Sequence, residues 1–196
     1  MDVARAASTM EGVTVTRPMS AEEYLLAGDE ERRTELIDGG VVTIEPDWTH
    51  QRTAFRIAYA LETWVRKAPG RGAVSIPLDV LIDDRNVFAP DLLWFAEGRV
   101  PTPGSTRPYA LPEIAVEVRS PSTWRYNLGR KKDHYERRGL NELWLVDTPA
   151  DAVLVFRRSK AGAPGLDVAL ELGRGEDLRS PQLPGFSLAL DELFAG

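Results

Sequence analysis

The sequence predicts a single α/β domain of the α+β kind, with a mixed, largely antiparallel sheet and few helices. Three observations predict it. Short apolar runs alternating at period two recur along the chain, whereas helical spacing appears in few places. The elements run as one helix pattern, many strands, one helix pattern and more strands. No repeat or linker divides the 196 residues, and a 43% hydrophobic share suffices for one full core.

Residues 1–18 show no periodicity and are expected to be loose or a weak edge element, leaving 19–196 as the domain. Ser20-Ala21-Glu22-Glu23 is a capping-box pattern opening a short helix that Gly28 ends. Thr34 to Ile44 reads as a hairpin, with Asp38-Gly39-Gly40 supplying the positive φ angles of its turn and Glu35 on the first arm. Thr49 is a candidate cap for a helix to about Lys67, whose buried stripe is Ala54, Ile57, Ala58, Leu61, Trp64 and Val65. Strands are expected at 73–77 and 79–82, then a turn at Asp83-Asp84-Arg85-Asn86, then one strand from Phe88 to Phe95. Gly98 to Pro112 is a Pro/Gly-rich loop.

The next strand is the informative one. Ile114, Val116 and Val118 alternate with Glu113, Ala115 and Glu117 before Pro121 stops the run. Glu113 is expected at a water-accessible entry. Glu117 lies between two valines, where an ionised carboxylate is costly unless paired or cation-bound. A helix from Tyr126 to Arg138 ended by Gly139, a strongly apolar strand from Glu142 to Asp147, and strands at 152–156 and 166–170 follow. Ser187 to Phe194 reads as a strand or a short helix.

Composition excludes several chemistries. With no cysteine there are no disulfides or thiolate metal sites, and two histidines argue against a His-rich zinc site. Any metal would be held by carboxylates, which suits magnesium, manganese or calcium. No membrane-length apolar run or secretory leader is present, so a cytoplasmic protein without membrane partners is expected. A net charge of −6 weighs against passive nucleic-acid binding. One segment is locally basic: Arg119, Arg125, Arg130, Lys131, Lys132, Arg137 and Arg138 stand against Asp133 and Glu136. Its bland reading is a solvated helix face.

Asp91, after Pro90, sits where a strand emerges from its loop, because proline cannot continue a central ladder. Asp91 and Glu117 on neighbouring strands suit a hard cation, which takes one or two carboxylates plus waters and phosphate oxygens. Lys131 shares a helix face with Leu128 and Tyr135, three before and four after it, and so points toward the sheet; spacing alone does not separate it from Lys132. Glu35 and His50 have ordinary alternatives, a hairpin surface carboxylate and a cap neighbour.

The combination of Pro90-Asp91, Glu117 in an apolar strand and a nearby lysine resembles the PD-(D/E)xK nuclease superfamily, and within it the Uma-two family of restriction endonucleases. The resemblance also rests on Glu35-Leu36-Ile37-Asp38-Gly39, His50-Gln51, Glu117 to Thr123, Lys131 with Tyr135 and Gly139, Glu142 to Asp147, and Ser180 to Leu188, covering about 20–194. It implies a restriction-endonuclease-like core with the site at one sheet edge. It also implies a magnesium ion, with manganese as substitute, on Asp91 and Glu117. Lys131 would be the catalytic lysine, moved from strand to helix, and Glu35 an accessory acid. Hydrolysis of DNA phosphodiesters is the implied reaction, and a homodimer fits cleavage of both strands. Arg119 stands where the superfamily places its lysine; being permanently protonated, it suits phosphate holding, as do Arg125 and Lys132. Asn127 stands where an aspartate is expected. The alternative function is a non-catalytic nuclease-fold module that binds nucleic acid or protein.

Overall fold

A computed structural model describes residues 9–10, 13–14, 17–27, 33–119 and 127–195. Near the N-terminus β1 (Thr9–Met10) pairs with β2 (Val13–Thr14). Helix α1 (Ala21–Leu26) follows a complete capping box: the Ser20 hydroxyl accepts from the Glu23 amide, and the Glu23 carboxylate accepts from the Ser20 amide. Gly28 lies outside the described residues. β3 (Thr34–Ile37) and β4 (Gly40–Thr43) form the expected hairpin, turning through Asp38 at φ 51° and Gly39 at φ 79°, the two left-handed positions of a type I′ turn.

α2 (Trp48–Arg66) is the one long helix among the described residues. Its cap is Asp47 rather than Thr49: the Asp47 carboxylate accepts from the His50 amide at 2.7 Å. β5 (Ala73–Ser75), β6 (Val80–Asp83) and β7 (Asn86–Phe88) come next. The predicted strand from Phe88 to Phe95 is two strands. β7 ends at Phe88, Ala89-Pro90-Asp91 crosses between sheets, and β8 (Leu92–Phe95) begins in another ladder. Pro90 has no amide hydrogen to donate, so the ladder breaks there. β9 (Ile114–Val118) leads to a π turn at Asn127–Lys131 and then α3 (Lys132–Arg138), which ends at Gly139; the predicted single helix is thus two kinds of turn, and Tyr126 lies outside the described residues. β10 (Glu142–Asp147), β11 (Ala152–Arg157) and β12 (Val168–Leu172) complete the main sheet. After β13 (Asp177–Leu178), the terminal segment is both strand and helix, β14 (Leu188–Ala189) and α4 (Leu190–Leu193).

Among the described residues, the main sheet has the order β12-β11-β10-β9-β8-β5, antiparallel except for β9 and β10. A parallel pair needs a crossover, and the chain between these two strands carries the π turn and α3 across one face. The second sheet, β4-β3-β7-β6, is antiparallel. Val116 and Val118 pack with Ile57, Leu61 and Trp64 of α2 and with Leu183, Phe186 and Leu190. Each such side chain contributes about 1.5–3 kcal/mol on burial. Ala115, Leu143 and Leu145 face the other way, against Ile37, Ile82 and Phe88 of the small sheet and Tyr135 and Leu140 of the α3 region. Strand alternation therefore aims Glu117 away from α2, into the layer formed by the small sheet and α3.

Glu113 differs from the sequence expectation. It is buried, holds the Ala96 amide at 2.8 Å and meets Arg99 at 2.5 Å.

Candidate active site

Four elements bring charged side chains into one buried network. Glu117 comes from β9, Asp91 from the link into β8, Glu35 from β3 and Lys131 from the last residue of the π turn. All four are buried: Glu35 is 1% exposed, Asp91 6%, Glu117 4% and Lys131 1%. Single π turns often mark functional sites, and this one turns the Lys131 amine inward.

Lys131 is the hub. Its Nζ lies 2.6 Å from Glu117 Oε1, and it donates to both Glu35 oxygens at 2.9 and 3.1 Å. It also sits 5.2 Å from the Phe88 ring centroid. The Tyr135 hydroxyl donates to Glu117 Oε1 at 2.9 Å, and the Ala89 amide donates to Glu35 Oε1 at 2.6 Å. The Pro90 crossing is thus tied to the lysine through Glu35.

Asp91 has its own clamp. Oδ1 accepts from Arg33 Nη1 at 3.0 Å; Oδ2 accepts from the Val118 amide at 2.7 Å and meets His50 Nε2 at 3.1 Å. Arg33 also reaches the Ala89 carbonyl. Leu92 pairs with Val116 in the ladder, so one further step of register sets Asp91 opposite Glu117.

The electrostatics follow from one buried ammonium shared by two carboxylates, with a third nearby. Burial, with help from Glu35 and Asp91, pushes Glu117 up to about 7 even though Lys131 opposes the rise. For Lys131, burial works to lower the pKa, but Glu117 and Glu35 outweigh it and hold the amine above its ordinary value. Burial likewise disfavours the charge on Asp91, yet His50, Arg33 and the Val118 amide bring its carboxyl below the usual range. Burial and the charges of Glu117 and Glu35 hold the Tyr135 phenol well above its ordinary value, so it remains a donor.

The structure separates Lys131 from Lys132. Lys132 is on the outer side, 3.3 Å from Glu136 and over the Phe156 ring. Arg119 extends past Glu117 and pairs with Asp147 at 2.8 Å. Arg125 lies outside the described residues, as does the stretch from Ser120 to Tyr126. The cluster is not at a lateral sheet edge: β8 and β9 are interior strands, and the site forms at their ends, where the small sheet and α3 close over them. Sequence reasoning took Tyr135 as part of the apolar stripe, His50 as a cap neighbour and made nothing of Arg33. The His50 amide does serve the cap while its ring serves Asp91. Tyr135, four residues after the inward Lys131, carried a usable signal, since both share one helix face.

The model of the Uma2 family, described as "Putative restriction endonuclease", matches residues 21–191. The chain belongs to the Uma2 family. Membership places it among nucleases of restriction-endonuclease type. A crystal structure from Anabaena variabilis, described as "a putative nuclease belonging to DUF820", matches the Uma2 chain with a TM-score of 0.75 at 18% identity. The match covers 90% of this chain and 98% of that one, which establishes the shared fold. No curated protein matches the chain. No helix among the described residues is long and apolar enough to cross a membrane.

The donor chemistry suits a hard divalent cation. Asp91 and Glu117 offer carboxylate oxygens from adjacent strands, and burial first, then Glu35 and Asp91, disfavour the Glu117 charge in the absence of a further cation. Among the described residues no group of three or more His, Asp or Glu side chains is arranged as a metal site.

Proposed function

We propose that this Uma2 chain is a magnesium-dependent endonuclease that hydrolyses DNA phosphodiester bonds, acting in the cytoplasm as a homodimer, with residues 19–196 as its nuclease unit. The observation that carries this reading is the buried network of Glu35, Glu117 and Lys131 from three separate elements, with the buried Asp91 set opposite Glu117 by the ladder register. Burying several charges opposes folding, and a cation and phosphate site gives that arrangement a use.

Asp91 and Glu117 would hold magnesium, or manganese in its place. Such an ion acts as a Lewis acid on the phosphate and lowers the pKa of a bound water. The chain's own groups do the positioning. Lys131, kept protonated by two carboxylates, donates hydrogen bonds to charge developing on the phosphoryl oxygens. Glu35 holds that amine through both its oxygens, which fixes its position independently of Glu117. Arg33 and His50 fix the Asp91 carboxylate. Arg119, Arg125 and Lys132 would take the flanking phosphates.

The test is cleavage of supercoiled plasmid and of single-stranded DNA with magnesium or manganese, wild type against Glu117→Ala. Cleavage by the wild type, abolished by chelation and reduced on the order of 100-fold or more in the variant, is the expected result. Equal residual cleavage in both would identify a contaminant and end the assignment. A second reading, a non-catalytic module, has one observation in its favour: both Asp91 oxygens already accept hydrogen bonds within the protein. Absence of cleavage with binding retained would select it.

A further inference from the structure

The outer face of α2 plays no part in the site described above. Trp48, Phe55 and Tyr59 are spaced seven and four apart and form one stripe along the helix. They are 77%, 62% and 68% exposed. Together they leave on the order of 400 Å² of aromatic side chain in solvent, as much as the largest patch on many monomers, which is often functional. Cations are interleaved with them. The Arg52 guanidinium lies 5.8 Å from the Trp48 ring centroid, and Arg56 and Lys67 follow along the helix. The sole acid within α2, Glu62, is paired with Arg66 at 2.6 Å. A chain of net charge −6 thus presents a cationic, aromatic helix face. Beside it, the cations Arg52, Arg56 and Lys67, one acid, Glu192, and the rings of Phe55 and Tyr59 line a cleft of about 380 Å³.

Charge complementarity decides what covers this face. Apposing two copies of α2 would bring cation against cation. A polyanion with flat apolar faces matches both the arginines and the rings. We propose that the outer face of α2 is a stacking track for a single strand of DNA. This rests on the nuclease reading and deepens it by naming the substrate form. The track starts at the end of α2 nearer the site: His50, in the same first turn as Trp48 but on the inward face, meets Asp91. The rise from Trp48 to Phe55 is about 10.5 Å and from Phe55 to Tyr59 about 6 Å, roughly three and two steps of a strand with a charge every 3.4 Å. Bases stack on the three rings, Arg52 and Lys67 meet phosphates, and the cleft accepts one base. Arg56 stays tied to the Leu193 and Ala195 carbonyls and forms the cleft wall. The substrate is then an unpaired strand or a frayed end rather than intact duplex.

The experiment uses the full chain carrying Glu117→Gln, without metal, and a labelled oligothymidylate followed by fluorescence anisotropy. Trp48→Ala, Phe55→Ala and Tyr59→Ala should each weaken binding about tenfold, and the triple variant at least about a hundredfold. Arg52→Ala should reduce the slope of log affinity against log salt by about 0.7. Because these side chains are exposed, thermal unfolding of the variants should match the parent. Unchanged binding by the triple variant overturns the track, as does tighter binding of a matched duplex. A dimer that the triple variant converts to monomer with strand binding intact also overturns it, assigning the face to self-association. Wild-type cleavage is scored separately. Strand binding that depends on the rings without any cleavage refutes the nuclease reading alone, and cleavage with binding indifferent to the rings refutes the track alone.

Discussion

Replacing Glu117 with glutamine should change how stability depends on pH, and the size of the effect follows from the site. Burial, Glu35 and Asp91 together raise the Glu117 pKa from 4.5 in the unfolded chain to about 7 in the folded one. The folded state therefore binds this proton more tightly. The stability contributed is fully present below about pH 4.5 and is lost as pH rises through about 7. At about 1.36 kcal/mol per pH unit, the full loss is roughly 3 kcal/mol, or about 6–12 °C in Tm for a chain of this length. Glutamine keeps the volume and cannot ionise. The difference in stability, Glu117→Gln minus wild type, should thus shift in the variant's favour by roughly 2–3 kcal/mol between pH 5 and pH 8, most of the full loss. Urea unfolding at four pH values in that range, read by tryptophan fluorescence without divalent metal, measures it. Taking the difference cancels titrating groups remote from Glu117, and Asp91, whose pKa is lowered, titrates below the window. Parallel profiles for the two proteins would refute the claim that burial in the site holds Glu117 protonated to about pH 7.

Lys131→Met leaves Glu35 and Glu117 facing one another without their shared cation, which should destabilise by about 3–5 kcal/mol. The loss should be smaller at pH 6 than at pH 8, because Glu117 can protonate; thermal unfolding at both pH values tests this. Gly72→Ala should cost more than about 3 kcal/mol, since Gly72 has φ 70° and an added Cβ would stand 1.9 Å from the Phe95 carbonyl oxygen. Urea titration would show a near-native midpoint if the reasoning is wrong. Ser20→Ala removes one half of the capping box and should cost about 1 kcal/mol, with cleavage of plasmid unchanged.

Much of the architecture was legible because it is local. The Asp38-Gly39 turn, the Ser20 box, the stripe on α2 and the alternation around Glu117 each depend on neighbours within a few residues. Other features were not. The split of Phe88 to Phe95 follows from which sheet each half joins, and periodicity cannot report that; Pro90 marks a break without saying that the chain changes ladder. The cap passed from Thr49 to Asp47 because cap choice depends on where the chain enters the helix. Glu113 looked accessible at a strand end until the Arg99 loop folded over it.

For the site, the sequence alone determined the candidates Asp91 after Pro90, Glu117 between valines and a sheet-facing lysine on a helix, while Glu35 on a hairpin arm entered only through the family resemblance. Tertiary structure decided the partnerships. Glu35 and Lys131 stand 96 residues apart in sequence, and Arg33 and Asp91 58 apart. Which amine enters, Lys131 or Lys132, was settled by the π turn and the packing of Tyr135 against Phe88. The roles of Tyr135, His50 and Arg33 also appeared only there, because a hydrogen bond across layers depends on how sheets and helix stack, and sequence spacing holds no measure of that distance.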